Sequence, residues 1–214
     1  MTQPARLVRN RRYDAPIVPK KAPPPQASRL VSARDQVALR DDGQLRLAVV
    51  ADTHSHPHPN TAQLLGELAP DAILHAGDIG DPHVLDELAK IARVIAVSGN
   101  IDERASHMPD VIALDVLAGD SRAFGLLLLH IAVYGAKIRA DAARLAGERD
   151  ARLIVCGHSH VPFIGRDRGL TVFNPGSIGP RRLHLPIVFG VLEIQQGKLS
   201  LRHVDCETGR AWAP

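Results

Sequence analysis

Five short apolar runs, each closing on Asp, Asn or His, constrain this chain more than any other feature. Leu45–Ala51 runs into Asp52-Thr53-His54, Ala72–His75 into Ala76-Gly77-Asp78, and Arg93–Ser98 into Gly99-Asn100. Leu126–Leu129 runs into His130, and Arg152–Cys156 into Gly157-His158-Ser159-His160. Apolar runs this short, bounded by turn residues, read as buried strands. Helical windows separate the first three. Asn60 is placed to cap a helix over Thr61–Ala69 that Pro70 stops, and Asp81-Pro82 opens another reaching about Ala92. Strand–helix–strand–helix–strand with short connections predicts three parallel neighbours joined by right-handed crossovers.

Val111–Val116 and Ala123–Leu129 add two strand-like runs split at Gly119-Asp120, and a helix over about Ala140–Arg149 precedes the Arg152–Cys156 strand. Phe163–Arg166, Leu170–Phe173, Ile187–Gln195 and Leu199–Cys206 then predict a strand-rich end with turns at Gly169 and Gly197. The class is α/β. At 214 residues, 45% hydrophobic and only 3% aromatic, the chain can fill one aliphatic core and offers few stacking platforms for single-stranded nucleic acid. Its two cysteines, Cys156 and Cys206, form no disulfide framework, and Cys156 reads as a buried small hydrophobe. A reducing, cytoplasmic setting is expected. The longest apolar stretch, Ala123–Ala136, contains His130 and falls short of the roughly 20 residues a bilayer takes, so no membrane partner is expected. No apolar segment follows the N-terminal arginines as in a secretory signal.

The formal charge of +3 hides a split: residues 1–46 carry ten Arg or Lys against four Asp, and the remainder is net acidic. Pro4, Pro16, Pro19 and Pro23-Pro24-Pro25 in the basic part block helix and most sheet pairing. Residues 1–45 are therefore expected to form an extended arm and 46–214 the folded domain. An electrostatic hook for nucleic acid, or an arm packed on a second subunit of a homo-oligomer, are its sharper alternatives. The acidic body disfavours nucleic acid.

Ligands gather beyond the carboxyl ends of strands in open α/β sheets, and here those ends carry seven oxygen or imidazole donors. Singly each is weak, because Gly-Asp and Gly-Asn are ordinary turn dipeptides. Jointly they point to a metal centre. Residues two apart on an extended chain point the same way, so Asp52 with His54, and His158 with His160, can each converge on one place. Seven donors exceed one tetrahedral zinc, but suit a pair of ions about 3.5–4 Å apart bridged by one carboxylate. Asp78, on the middle strand of the triplet, is the candidate bridge.

The ordered series Asp52-x-His54, Gly77-Asp78, Gly99-Asn100, His130 and Gly157-His158-x-His160 resembles the calcineurin-like metallophosphoesterases. The small size and Asn174-Pro-Gly-Ser177 look most like the compact bacterial and archaeal phosphodiesterase branch, which includes the retromer scaffold subunit. The resemblance covers residues 46 to about 206. It implies a fold of two facing mixed β-sheets flanked by helices. It also implies one ion held by Asp52, His54, Asp78 and His160, and a second by Asp78, Asn100, His130 and His158. His75, Asn174 and Ser177 match supporting positions rather than ligands.

Three departures from the family pattern stand out. Ile101-Asp102 follows Asn100 where many members have a His that protonates the leaving group. Asp102 could steer a proton or cap a turn. Ile131-Ala132 follows His130 where Gly is usual, making the wall bulkier and less polar. His56 and His58 extend the first motif, either as a solvated loop or as a substrate contact. The implied activity is hydrolysis of a small phosphoester, foremost a phosphodiester, by hydroxide shared between two divalent ions, with Asn100 helping to stabilise the phosphoryl oxygens. Manganese is the foremost metal, with iron, zinc, nickel or magnesium as alternatives. A scaffold that keeps the fold without the chemistry, and a nuclease using the basic arm, are the competing readings.

Overall fold

The computed structural model describes residues 30–102 and 108–213. In chain order the elements are β1 (Ser32–Ala38), β2 (Leu45–Val50), α1 (Thr61–Leu68), β3 (Ala72–His75), α2 (His83–Ala89) and β4 (Arg93–Ala96). There follow β5 (Val111–Ala118), β6 (Ser121–Leu129), β7 (Val133–Tyr134), β8 (Lys137–Ile138), α3 (Ala140–Glu148) and β9 (Leu153–Val155). The last five are β10 (Phe163–Asp167), β11 (Leu170–Asn174), β12 (Val188–Gln195), β13 (Lys198–Asp205) and β14 (Ala211–Trp212).

These strands form two six-stranded mixed sheets, β1-β5-β6-β9-β11-β10 and β14-β13-β12-β2-β3-β4, plus a small β7-β8 ribbon. The expected parallel triplet is present: β2 pairs with β3 and β3 with β4, both parallel. Alternation along β2 explains its unbroken apolar sequence, since both faces are covered. Leu47 and Val49 face inward to meet Leu114, Leu126, Val155 and Phe173 of the other sheet. Ala48 and Val50 face outward and pack with Leu65 of α1 and Val84 and Leu88 of α2. On the far side, Leu127 and Ile154 pack under Ala142 and Ala146 of α3. The result is helix, sheet, sheet, helix, with Phe173 buried between the sheets and Phe189 buried under α1 and α2 as the largest fully buried side chains.

The folded part begins before the boundary expected at residue 45. Ser32–Ala38 is an edge strand pairing parallel with β5. Its sequence hid it because only Val37 is buried, so no apolar run marks it. Pairing and polar ties hold it instead: Arg93 reaches Asp35 at 2.6 Å and the Gln36 carbonyl at 2.9 Å. Residues 1–29 of the proline-rich arm lie outside the described residues. Asn60 precedes α1 as expected, but its side chain does not cap the helix; it donates to the Cys206 carbonyl at 3.1 Å. Both cysteines are buried and free.

Candidate metal centre

The carboxyl ends of β2, β3 and β4 meet those of β6 and β9 across the sandwich. Backbone bonds stitch the loops together, with Asp52 N–H donating to the Gly77 carbonyl at 2.9 Å and Gly157 N–H to that of His130 at 3.0 Å. Across the sheets, the His158 N–H donates to the Asp52 carboxylate at 2.9 Å. Gly99 permits one close approach, since a Cβ there would collide with the Asp78 backbone and carboxylate.

Two donor clusters result, Asp52–His54–His160 and Asp78–His130–His158, with donor atoms in each within 4.8 Å of one another. Asp52 and His54 converge as expected. His158 and His160 part company, one to each cluster, as the family pattern implies. The extended-chain rationale fails for a local reason. Asp52 (φ 53°), His54 (47°), Asp78 (55°), His158 (69°) and His160 (57°) are all left-handed. Such a conformation costs a non-glycine residue on the order of 1–3 kcal/mol, and its concentration in five donors marks a site whose surroundings over-determine it.

Asp78 links the clusters. Its Oδ1 lies 3.3 Å from His130 Nε2 and its Oδ2 3.7 Å from His54 Nε2. Within the first cluster His160 Nε2 lies 3.4 Å from Asp52 Oδ1 and 3.2 Å from His54 Nε2. Within the second, His130 Nδ1 donates to the Ala76 carbonyl at 2.7 Å, which directs the Nε2 lone pair at Asp78. His130 Nε2 and His160 Nδ1 are buried without a hydrogen-bond partner. Lone pairs facing lone pairs in a buried setting are repulsive unless a proton or a cation lies between them. The donor set therefore fits divalent ions, and its imidazole and carboxylate mixture without thiolate suits manganese, iron or zinc.

Electrostatics follow burial and neighbours. Burial pushes the Asp52 carboxyl up to about 7. Burial also tends to raise Asp78, but His130 and the N–H groups of Ile101 and Asn100 outweigh it and hold that carboxyl well below the usual range. Burial alone would lower His130, yet Asp78 and the Ala76 carbonyl hold it above its ordinary value. His54 and His158 are lowered by burial, and His160 is pushed down to about 4 by burial and then by Arg182.

Asn100 is exposed beside the second cluster; its Nδ2 donates to His158 Nδ1 at 3.3 Å and its N–H to Asp78 Oδ1 at 2.6 Å. Asp102 is engaged as an acceptor by three backbone N–H groups. One oxygen accepts from Ile79 and Gly80, both at 2.9 Å, and the other from Gly99 at 2.7 Å. His75 is fully buried, bonded to Thr53 Oγ1 at 2.7 Å and accepting from Gly77 N–H at 3.2 Å, with burial lowering its pKa to about 3. It props both acidic loops without joining a cluster. Asn174 donates to the Gly157 carbonyl at 2.7 Å and the Ser159 hydroxyl at 3.1 Å, and Ser177 donates to the Asp52 carbonyl at 2.9 Å. His56 and His58 join neither cluster. Arg182 was not foreseen: its guanidinium reaches His54 Nε2 at 3.1 Å. Nothing in the local sequence separates it from its neighbour Arg181.

Residues 45–197 match the family described as the calcineurin-like phosphoesterase superfamily domain. The chain belongs to this superfamily. A probable metallophosphoesterase of Methanothermobacter thermautotrophicus is 33% identical over 175 residues, spanning 78% of this chain and 94% of that relative. Among solved structures, the Escherichia coli phosphoesterase YfcE aligns with a TM-score of 0.53 at 21% identity, covering 79% of this chain and 97% of its own. Entamoeba histolytica Vps29 complexed with zinc aligns with a TM-score of 0.61 at 22% identity, over 78% and 96% of the two chains. At such identities the two structures establish the shared fold. This calcineurin-like chain thus keeps the two-sheet sandwich of its superfamily and presents a donor cluster on each side of Asp78. Among the described residues, no helix is long and apolar enough to cross a membrane.

Proposed function

We propose that the protein is a dinuclear metal-dependent phosphodiesterase, acting in the cytoplasm on a small phosphoester with manganese as its preferred metal. The observation that carries this reading is Asp78, whose two carboxylate oxygens each face a different donor cluster. When bound, a pair of divalent ions supplies Lewis-acid polarisation of the phosphoryl group and a water of lowered pKa for in-line attack.

The chain's own residues would position the rest. Asp52, His54, Asp78 and His160 would hold one ion, and Asp78, Asn100, His130 and His158 the other. The Asn100 amide, exposed at the rim, would also donate to a phosphoryl oxygen as charge develops there. Ile131 stands between two hollows beside the second cluster. One, about 340 Å³, is lined by Asn100, Asp110, Leu129 and Arg139; the other, about 590 Å³, by Tyr134, His158, Val161 and Phe163. A phosphorus centre with two organic substituents would use both, which favours a diester over a monoester.

The test is a panel of aryl and alkyl mono- and diesters, nucleotides and lipid esters assayed with Mn²⁺ after metal stripping. Diester turnover at least about tenfold faster than monoester turnover supports the reading. Faster monoester turnover overturns the diester preference. No turnover of any ester would favour a scaffold, a possibility raised by the fold shared with Vps29. DNA affinity that is salt-dependent and lost on removing residues 1–29 would favour the nuclease alternative.

A further inference from the structure

The segment between β11 and β12 is fastened onto the loop carrying Asp52 and His54. Ser177 donates to the Asp52 carbonyl at 2.9 Å, and the His58 N–H to the Ile178 carbonyl at 2.7 Å. Gly179 packs where a Cβ would collide with the carbonyl oxygens of Asp52 and Thr53. Two consecutive arginines follow, and they are treated differently. Arg181 is drawn away by Glu207 at 2.5 Å and the Leu185 carbonyl at 2.9 Å. Arg182 extends over the first cluster, its Nη2 3.1 Å from His54 Nε2, and among the described residues no carboxylate lies within ion-pair distance of it.

This contact has an electrostatic consequence. A guanidinium only donates, and it stays charged. His54 Nε2 can accept from it only through the lone pair that also faces His160 Nε2 and Asp78 Oδ2. Arg182 and a cation in the first cluster therefore compete for one lone pair. A cation that took it would leave the guanidinium beside a second positive charge, with no carboxylate among the described residues close enough to pair with the guanidinium itself. Anionic oxygen is what that arrangement lacks. A guanidinium fork matches two oxygens of a tetrahedral phosphate, where it forms its strongest bonds.

We propose that Arg182 is a substrate-binding residue whose guanidinium, displaced from His54 by the cation of the first cluster, holds the non-bridging oxygens of the phosphate group. The proposal rests on the phosphoesterase reading for its substrate, but not for its chemistry. Arg182 would act chiefly on binding, raising KM more than it lowers kcat when removed. Inorganic phosphate would occupy the same place and inhibit.

The experiment compares the full chain with Arg182→Ala and Arg182→Lys by two calorimetric titrations, Mn²⁺ into stripped protein and inorganic phosphate into Mn²⁺-loaded protein. In Arg182→Ala, phosphate affinity should fall about 10- to 100-fold, as for loss of charge-assisted hydrogen bonds. Mn²⁺ affinity in the absence of phosphate should instead rise several-fold, because the competitor for His54 is gone. Arg182→Lys should recover part of the phosphate affinity. These opposite signs exclude a purely structural role, since a loosened loop would misplace Asp52 and weaken both ligands. Unchanged phosphate affinity, or weakening of both ligands together, overturns the proposal. Failure of the wider reading looks different: phosphate binding that depends on Arg182 with no ester turned over would keep this anion site and remove the esterase.

Discussion

The two donor clusters contain the same groups, one carboxylate and two imidazoles, yet they hold their protons in opposite places. In the first, Asp52 is wholly buried and its carboxyl is raised to about 7, while His54 and His160 are lowered. In the second, Asp78 sits well below the usual carboxylate range and His130 above its ordinary value. Below about pH 7 the first cluster without a cation favours a neutral acid beside neutral rings. The second favours an ionised carboxylate beside a ring drawn toward its charged form. Burial dominates at Asp52, whereas at Asp78 the His130 ring and the N–H groups of Ile101 and Asn100 outweigh it, so equal composition does not mean equal readiness for metal. A cation at either cluster competes with protons, chiefly on the Asp52 carboxyl in the first and on the His130 ring in the second.

The largest effect should come from Asp78, the residue shared by both. Asp78→Ala should abolish hydrolysis, beyond the roughly 10²–10³-fold lost with one oxyanion donor, and lower the bound-metal count at both clusters. Full activity with the metal count of the wild type would break the comparison at its root. His160→Ala and His158→Ala should instead each deplete a single cluster, read by metal analysis after dialysis.

A second test uses pH and separates the clusters. A carboxyl whose folded pKa is raised stabilises the fold fully below its ordinary 3.8, and loses that contribution as pH rises through about 7. In chelator, the wild type should lose stability over this window and Asp52→Asn should not. Asp52→Asn would then be the more stable at pH 8, by on the order of 4 kcal/mol at most, and the gap should shrink toward pH 4. With Mn²⁺ the order should reverse, because the ionised carboxylate becomes a ligand. Urea unfolding at pH 5 and pH 8, with and without metal, checks this. A pH-independent gap in chelator would mean that Asp52 carries no displaced proton.

Much of this was legible in the sequence, and the failures have physical causes. The run Leu45–Ala51 could be read as a strand because a strand buried on both faces must be apolar throughout. The strand ends could be read as a gathering of candidate donors because Asp, Asn and His recur there with no apolar residue among them. The sorting of His158 and His160 could not be read from spacing, because the left-handed turn between them is set by tertiary contacts such as the His158 N–H on Asp52. The family pattern supplied that division. β1 was illegible because an edge strand with one buried side chain is held by backbone pairing, which sequence composition does not report. Arg182 was illegible because its place depends on Gly179 seating the loop from a distant strand.

The props beneath the clusters are also distinct, and they give a smaller test. Ser177 holds the Asp52 carbonyl and accepts from Gly179 N–H at 3.1 Å, on the side of the first cluster. Asp102 holds the N–H groups of Ile79, Gly80 and Gly99, which flank Asp78 and Asn100 on the side of the second. Ser177→Ala should weaken metal at the first cluster about 10- to 100-fold and spare the second, and Asp102→Asn should do the reverse. Equal weakening at both clusters in either variant would show that the site is one rigid unit.

The smallest expected effect is a null one, and it decides between two roles for Asp102. Ile101 is 48% exposed and has no proton to give to a departing oxygen. Asp102 accepts three backbone N–H bonds through its two oxygens, and a group committed as an acceptor is a poor proton donor. General-acid catalysis contributes about 10²–10⁴-fold, chiefly for poor leaving groups. Without it, kcat/KM should fall steeply along a series from substituted phenyl diesters to alkyl diesters as leaving-group pKa rises. Asp102→Asn should lower every rate through its effect on the second cluster and leave the slope of the series unchanged. A flat wild-type series that steepens in Asp102→Asn, with chemistry rate-limiting in both, would make Asp102 the proton donor. Its bonds to Ile79, Gly80 and Gly99 would then orient an acid rather than merely cap a turn, and the props of the two clusters would no longer be equivalent.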